Sequence, residues 1–370
     1  MRKVALMAYM NANLGDDLFL RILCQRYPNV QFYIRGNNNG KCVAHDLKNL
    51  KYLEYNDKTN LTLLCKVINQ IYKKILRQKE YDYLVERCEN RILISGSCFM
   101  ESIGEKVIDS HEYFIDENTF VIGCNFGPYK NQEYFRRYLK ILSKAKFVCF
   151  REQYSYKLFK ENSNTYYGSD IVFNYNKENV ILPNIKDYVL LAVAPIAKDG
   201  RKDLEKYEAI YIQRQVEVVQ SFIARGLHVV LLSFCESEDK RVVDKIFEKL
   251  DNNNQISMVH YPHISADEAV GYIANAKAVL STRYHAMILA LLFGKKVFSI
   301  SYSQKIKNVV EDLGNIIPYC NIEDLIETSA EEIALELEKN YTQKELEQIQ
   351  RYVELSKKHF MLIDREFHIT

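Results

Sequence analysis

Arg283 and His285 stand two residues apart with Tyr284 between them, where one apolar run gives way to another. The run at residues 278–280 reads as a strand ending in Ser281 and Thr282, and residues 286–293 are apolar, helix-favouring and stopped by Gly294. A second strand at residues 297–301 is followed by Tyr302, Ser303 and Lys305. Two strand ends and one helix start thus present an arginine, a histidine and a lysine to one place. In open α/β sheets, ligands bind outside the carboxyl ends of the strands. A helix amino terminus adds unpaired N–H groups and a positive dipole end. A fixed cation, a titratable imidazole and a second cation suit a small, multiply charged anion. Arg151, at the end of a strand over residues 147–150, adds a guanidinium where a strand should open into a cleft. A structural salt bridge is the other use of that side chain.

These side chains need a scaffold that gathers distant strand ends, and 370 residues suit two domains better than one core. Hydrophobic content of 48% supports two interiors, and Lys+Arg 50 against Asp+Glu 48 leaves a formal net charge of +2. That balance gives no general attraction to a polyanion, so nucleic acid is not an expected partner. In the first half, apolar runs at residues 4–10, 30–35, 90–95, 120–124 and 147–150 read as strands. Helical patterns lie at 18–27 and 61–77, the second carrying Lys73, Lys74 and Arg77, and an Asn-rich turn lies at 36–40. A polar stretch at 174–186 reads as a linker. The alternation then restarts, with strands at 188–194, 228–233 and 256–260 and helices at 210–225, 239–250 and 266–276. The fold class expected is α/β, with two doubly wound Rossmann-like domains, residues 1–178 and 186–340, facing across a cleft. The helical tail, residues 341–370, is expected to pack back on the first domain by analogy with other two-domain enzymes.

Nine scattered cysteines with no C-x-x-C pair suggest reduced, buried thiols, not a zinc site or disulfide framework. The 27 tyrosines are more readily explained as strand and interface residues than as sugar platforms. Arg2 and Lys3 precede only about seven apolar residues before Asn11, Asn13 and Asp16, which reads as a first strand and not a targeting segment. No run approaches the roughly 18 apolar residues of a spanning helix. A cytoplasmic protein is expected, at most peripherally associated with the inner face of a cell membrane; nothing in the sequence specifies an oligomeric state.

Ser281-Thr-Arg283-Tyr-His285-Ala286, Tyr302-Ser-Gln-Lys305 and Leu313-Gly314 together resemble the polysaccharide pyruvyl transferase family. Asn13-Leu-Gly15-Asp16-Asp17, the Gly123–Gly127-Pro128 segment, Arg151-Glu152 with Ser155, and Gly168-Ser-Asp170 resemble other segments of it. Tyr284 replaces a frequent Leu, Gln153 a common second Glu, and Ser95 and Ser97 flank Gly96 where glycine is frequent. The resemblance implies a GT-B-like arrangement and transfer of the pyruvyl group of phosphoenolpyruvate to two hydroxyls of one sugar, with no metal or cofactor. It implies His285 as the acid, Arg151 and Arg283 on the donor's carboxylate and phosphate, and Lys305 on the departing phosphate. A sugar or lipid-linked oligosaccharide acceptor is then expected near Asn13, Asp16 and Asp17, with Asp170, Tyr284 and Tyr302 lining the cleft.

Several of these residues have plainer uses. Asp16 or Asp17 can cap the following helix, Asp170 can cap a turn, and Ser95-Gly96-Ser97 can be an ordinary strand-to-helix turn. His260 and His263 lack a third ligand nearby in sequence and read as cleft-lining or structural. Two rival functions stay open: a two-domain glycosyltransferase using a nucleotide sugar, with Glu323 or Asp324 on the ribose, and a glycan-binding protein without catalysis.

Overall fold

The structure is a computed structural model that describes residues 1–36, 46–54, 85, 87–197, 201–251 and 253–368. The helix expected at 61–77 and most of the turn at 36–40 lie outside the described residues.

Two parallel sheets form the frame. The first contains β1 (Arg2–Met7), β2 (Val30–Gly36), β3 (Leu50–Glu54), β4 (Asn90–Ile94), β5 (Thr119–Cys124), β6 (Phe147–Phe150) and β7 (Thr165–Tyr167). Its order is β3-β2-β1-β4-β5-β6-β7. The second contains β8 (Tyr188–Val193), β9 (His228–Ser233), β10 (Ile256–His260), β11 (Ala278–Ser281), β12 (Lys296–Ser301) and β13 (Tyr319–Asn321), in the order β10-β9-β8-β11-β12-β13. The central strands β5 and β8 are buried along their whole length, which is why their sequences are runs rather than alternations. Each half is a Rossmann-like α/β domain. In each, strand order reverses beside the first strand, at β1/β4 and at β8/β11, where such folds open their ligand crevice.

Among the described residues the helices are α1 (Leu14–Arg26), α2 (Glu105–Phe114), α3 (Gln132–Ser143), α4 (Gln153–Phe159), α5 (Glu208–Ala224) and α6 (Glu236–Glu248). Then follow α7 (Ala266–Asn275), α8 (Tyr284–Leu292), α9 (Gln304–Asp312), α10 (Ala330–Glu338), α11 (Gln343–Leu355) and α12 (Met361–Glu366). α1 starts four residues before the apolar pattern suggests. Asn13 is its cap, accepting the Gly15 N–H at 3.2 Å, so Gly15, Asp16 and Asp17 lie on the first turn. α10 and α11 begin with capping boxes, Ser329 with Glu332 and Thr342 with Glu345.

The halves share one apolar core. α8 is apolar around most of its circumference because it is covered on several sides: Met287, Ile288 and Leu291 pack in the same cluster as Leu14, Leu18, Phe19 and Ile22 of α1. Polar ties flank this contact. The Leu14 N–H donates to Phe234 O at 2.9 Å, and Asn308 donates to Glu152 at 2.9 Å. The Gln153 N–H and the Tyr167 hydroxyl both donate to Asp312. The tail returns to the first sheet. Ser169 donates to Tyr352 O, His359 Nε2 donates to Ser169 O at 2.6 Å, and Arg26 and Tyr27 both donate to Asp364. No described helix is long and apolar enough to cross a membrane.

Candidate active site

Arg151 leaves the end of β6 and enters the gap between the halves. It is 1% exposed, yet its charge is met on several sides. Nη1 donates to Asp170 Oδ2 at 2.9 Å, and Nη2 donates to Asn125 Oδ1 at 2.7 Å with Ser97 Oγ at 3.4 Å. Its guanidinium carbon lies 4.4 Å from the centre of the Tyr284 ring. Burial works against the charged form, but Tyr284, Asp170 and Glu152 outweigh it and raise the arginine pKa further. Gly96 is shaped to this side chain: a Cβ there would sit 3.0 Å from Nη1. The other oxygen of Asp170 accepts the Val172 N–H at 2.8 Å and so also caps a turn.

His285 comes from the other half, on the first turn of α8, and its Nε2 lies 3.4 Å from Arg151 Nη1 and 3.8 Å from Asp170 Oδ2. Arg151 can only donate, so Nε2 accepts and the neutral ring carries its proton on Nδ1. The ring stands edge-on to Phe19 at 5.3 Å and to Tyr284 at 5.1 Å. α1 closes over it at Gly15, where a Cβ would fall 1.8 Å from Nδ1, so only glycine permits that approach. Burial, then Arg151, Lys305 and Arg283, hold the imidazole well below its ordinary range.

Asp16 lies in the field of the same three cations. Burial nonetheless pushes it up to about 6, with Arg151, Lys305 and Arg283 pulling the other way. Adjacent helical residues project about 100° apart, and Asp17 accordingly serves another purpose. It is 1% exposed, accepts the Tyr261 hydroxyl at 2.8 Å, and is pushed by burial to about 8. Asp17 therefore ties the halves together, and Asn13 is the helix cap; neither is placed as an acceptor contact.

Arg283 is clamped. Its Nε donates to Asp239 Oδ2 at 3.1 Å, and Nη2 donates to both Asp239 Oδ1 and Glu238. Asp239 is held in turn by the Phe234 and Cys235 N–H groups. Lys305, on the first turn of α9, places Nζ 5.8 Å from the Tyr284 ring centre. Burial and the neighbouring cations Arg151, Arg201 and Arg283 lower its pKa, against Tyr302. Tyr302 carries Arg201 on its ring face at 4.3 Å. Burial pushes its phenol up, but Lys305, Arg201 and Arg283 prevail and bring it to about 8.

Arg151, Asp170, Tyr284 and His285 are thus in direct contact, Lys305 borders the same ring, and Arg283, Asp16 and Tyr302 share the electrostatic field. Asn125, Ser97, Asp239 and Arg201 carry roles that the sequence reading did not assign. Asn125 follows a strand end, which is a usable signal. Arg201 and Asp239 are brought to the site only by folding. His260 bonds Ser233 and His263 pairs with Glu236, and among the described residues no His/Cys/Asp/Glu group could hold a metal. Asp324 accepts from Asn321 at 2.7 Å in the turn after β13.

The sequence pattern of the family described as polysaccharide pyruvyl transferase matches residues 13–304. A UDP-N-acetylglucosamine 2-epimerase from Rickettsia bellii superposes with TM-score 0.59 at 12% identity, covering 100% of this chain and 97% of its own. Another structure of a UDP-N-acetylglucosamine 2-epimerase gives 0.60 at 10% identity, covering 100% and 97%. The Anabaena protein HepE, in complex with UDP and glucose, gives 0.54 at 10% identity, covering 100% and 98%. At such identities the likeness establishes the GT-B-type fold.

Proposed function

Because the chain belongs to the polysaccharide pyruvyl transferase family, we propose that it moves the pyruvyl group of phosphoenolpyruvate onto two hydroxyls of one sugar. The acceptor is a cell-surface polysaccharide or its precursor, free or lipid-linked, and the products are a cyclic ketal and phosphate. No metal or cofactor enters the reading. A cytoplasmic setting, at the inner face of the cell membrane where such precursors are built, fits this role.

The observation that carries the reading is the meeting of Arg151 and His285, one from each half, at 3.4 Å. The donor's methylene carbon must gain a proton so that the adjacent carbon accepts a sugar oxygen, and a positioned imidazole can supply it. Burial and the surrounding cations hold His285 neutral. A donor bearing a carboxylate and a phosphate reverses that field and lets the ring take up the proton it delivers. Asp16, at about 6, is ionised at neutral pH and can accept the proton of the attacking hydroxyl. Arg151 and Arg283 hold the donor's anionic ends, and Lys305 faces the phosphate as it leaves. Two hydroxyl protons are released in all. One balances the proton that makes the methyl group, and the other leaves on the phosphate.

The test is phosphate release from phosphoenolpyruvate with a panel of glycan acceptors. We expect release by the wild-type protein and a loss of at least about a hundredfold in His285→Ala with its melting temperature preserved. Stabilisation by UDP and not by phosphoenolpyruvate would instead support a nucleotide-sugar transferase.

A further inference from the structure

The cations of the cleft are not equally provided for. Arg151 has Asp170, and Arg283 has Asp239 and Glu238. Lys305 and Arg201 form no ion pair with a carboxylate among the described residues. Both are half-buried, and Arg283 adds its charge to theirs. Among the described residues aromatic faces stand against them, Tyr284 at 5.8 Å from Lys305 Nζ and Tyr302 at 4.3 Å from Arg201, while Asp16 and Glu152 reach Lys305 only through the field. Arg201 is fixed in place by Nη2 donating to Pro195 O at 3.3 Å, beyond the end of β8. Gathering like charges away from water with no carboxylate in direct contact among the described residues costs free energy. A ligand that carries the missing negative charge recovers it.

We propose that Lys305, Arg201 and the Tyr302 hydroxyl form a phosphate subsite, distinct from the Arg151 end of the cleft, that takes a phosphate monoester by its dianionic group. The inference rests on the donor reading above and adds polarity to it. The donor's phosphate lies toward β8 and β12, and its carboxylate lies toward β6 and Arg151. Arg201 is then a donor-binding residue. Tyr302 donates a hydrogen bond to a phosphate oxygen, and binding a dianion beside Tyr302 returns its phenol toward the ordinary range. The groups bearing on that phenol are Lys305, Arg201, Arg283 and, from α5, Tyr211.

The test uses inorganic phosphate and pyruvate as separate probes in calorimetric titrations, alongside the ultraviolet phenolate band near pH 8–9. Wild-type protein should bind each probe, and phosphate should diminish a phenolate signal that Tyr302→Phe lacks. Arg201→Gln should weaken phosphate at least tenfold and pyruvate less than twofold, with Arg201→Lys intermediate. Arg151→Lys should show the reverse preference. Phosphate binding within twofold of wild type in Arg201→Gln, or equal loss of both probes, overturns the proposal. If phosphate binds through Arg201 but phosphoenolpyruvate yields no phosphate, the subsite stands and the transferase reading falls. If phosphate is released normally by Arg201→Gln, the reading stands and the subsite falls.

Discussion

The two walls of the cleft treat positive charge differently. On the amino-terminal wall, Arg151 is enclosed by Asp170, Asn125 and Ser97, against a glycine that leaves it room. On the carboxyl-terminal wall, Lys305 and Arg201 lean on tyrosine rings and lack carboxylate partners among the described residues. The first arrangement meets the guanidinium's charge with a buried carboxylate and leaves its Nε without a hydrogen-bond partner among the described residues. The second, among the described residues, has no carboxylate in contact with its two cations. A protein that used all its cations structurally would pair them all; one that binds an anion must leave some charge unmatched until the anion arrives.

The sharpest way to break this comparison is to remove one cation from each wall. Arg151→Met leaves Asp170 buried without its partner and should cost about 3–5 kcal/mol of stability. Lys305→Met removes repulsion and should leave the melting temperature unchanged or higher, while donor binding is lost in both. Denaturant unfolding with phosphoenolpyruvate titration decides it; equal destabilisation would show that the walls are alike.

Gly15→Ala probes the seam between them. The new Cβ would overlap His285 Nδ1 at 1.8 Å, so α1 or the imidazole must shift. We expect a stability loss of about 1–3 kcal/mol and a fall in turnover of about a hundredfold. Turnover near the wild-type rate would mean that the close approach has no bearing on His285.

The smallest effect concerns pH. Asp17 is raised to about 8 when folded, from an ordinary value of 3.8. Between those values the folded chain holds a proton that the unfolded chain has lost, so stability falls as pH rises. Asp16 and Asp312, each raised by burial to about 6, add to the fall only up to that region. From pH 6.5 to 8 the histidines held below their ordinary range and the lowered Tyr302 phenol act in the opposite sense, so Asp17 is read by difference: Asp17→Asn should remove a falling contribution and turn the slope upward relative to wild type. An unchanged slope in urea unfolding across that interval would remove Asp17 from the seam.

Adjacent residues show how far local pattern reaches. Strand runs, the Gly294 stop and the Arg283–His285 spacing were all legible, because burial on both faces and helix termination leave local signatures. Asp16 and Asp17 were indistinguishable by type and separated by one position. Only the start of α1 at Leu14 sends one toward the cations and the other to Tyr261. Gly15 lies ahead of the helical pattern at 18–27, and nothing local shows that the reason for a glycine there is His285, far along the chain.

By itself, the sequence determined two α/β units, the placement of Arg151, Arg283, His285 and Lys305 at the ends or starts of elements, and the family. These follow from hydrophobic periodicity and short-range spacing, which are local. Tertiary structure alone decided which charges are matched. Asp170 reaches Arg151, Asp239 reaches Arg283, and Arg201 comes to Tyr302 with no carboxylate partner among the described residues. Electrostatic compensation depends on distance in space and on exclusion of water, and neither is set until the two sheets turn their carboxyl ends toward one another.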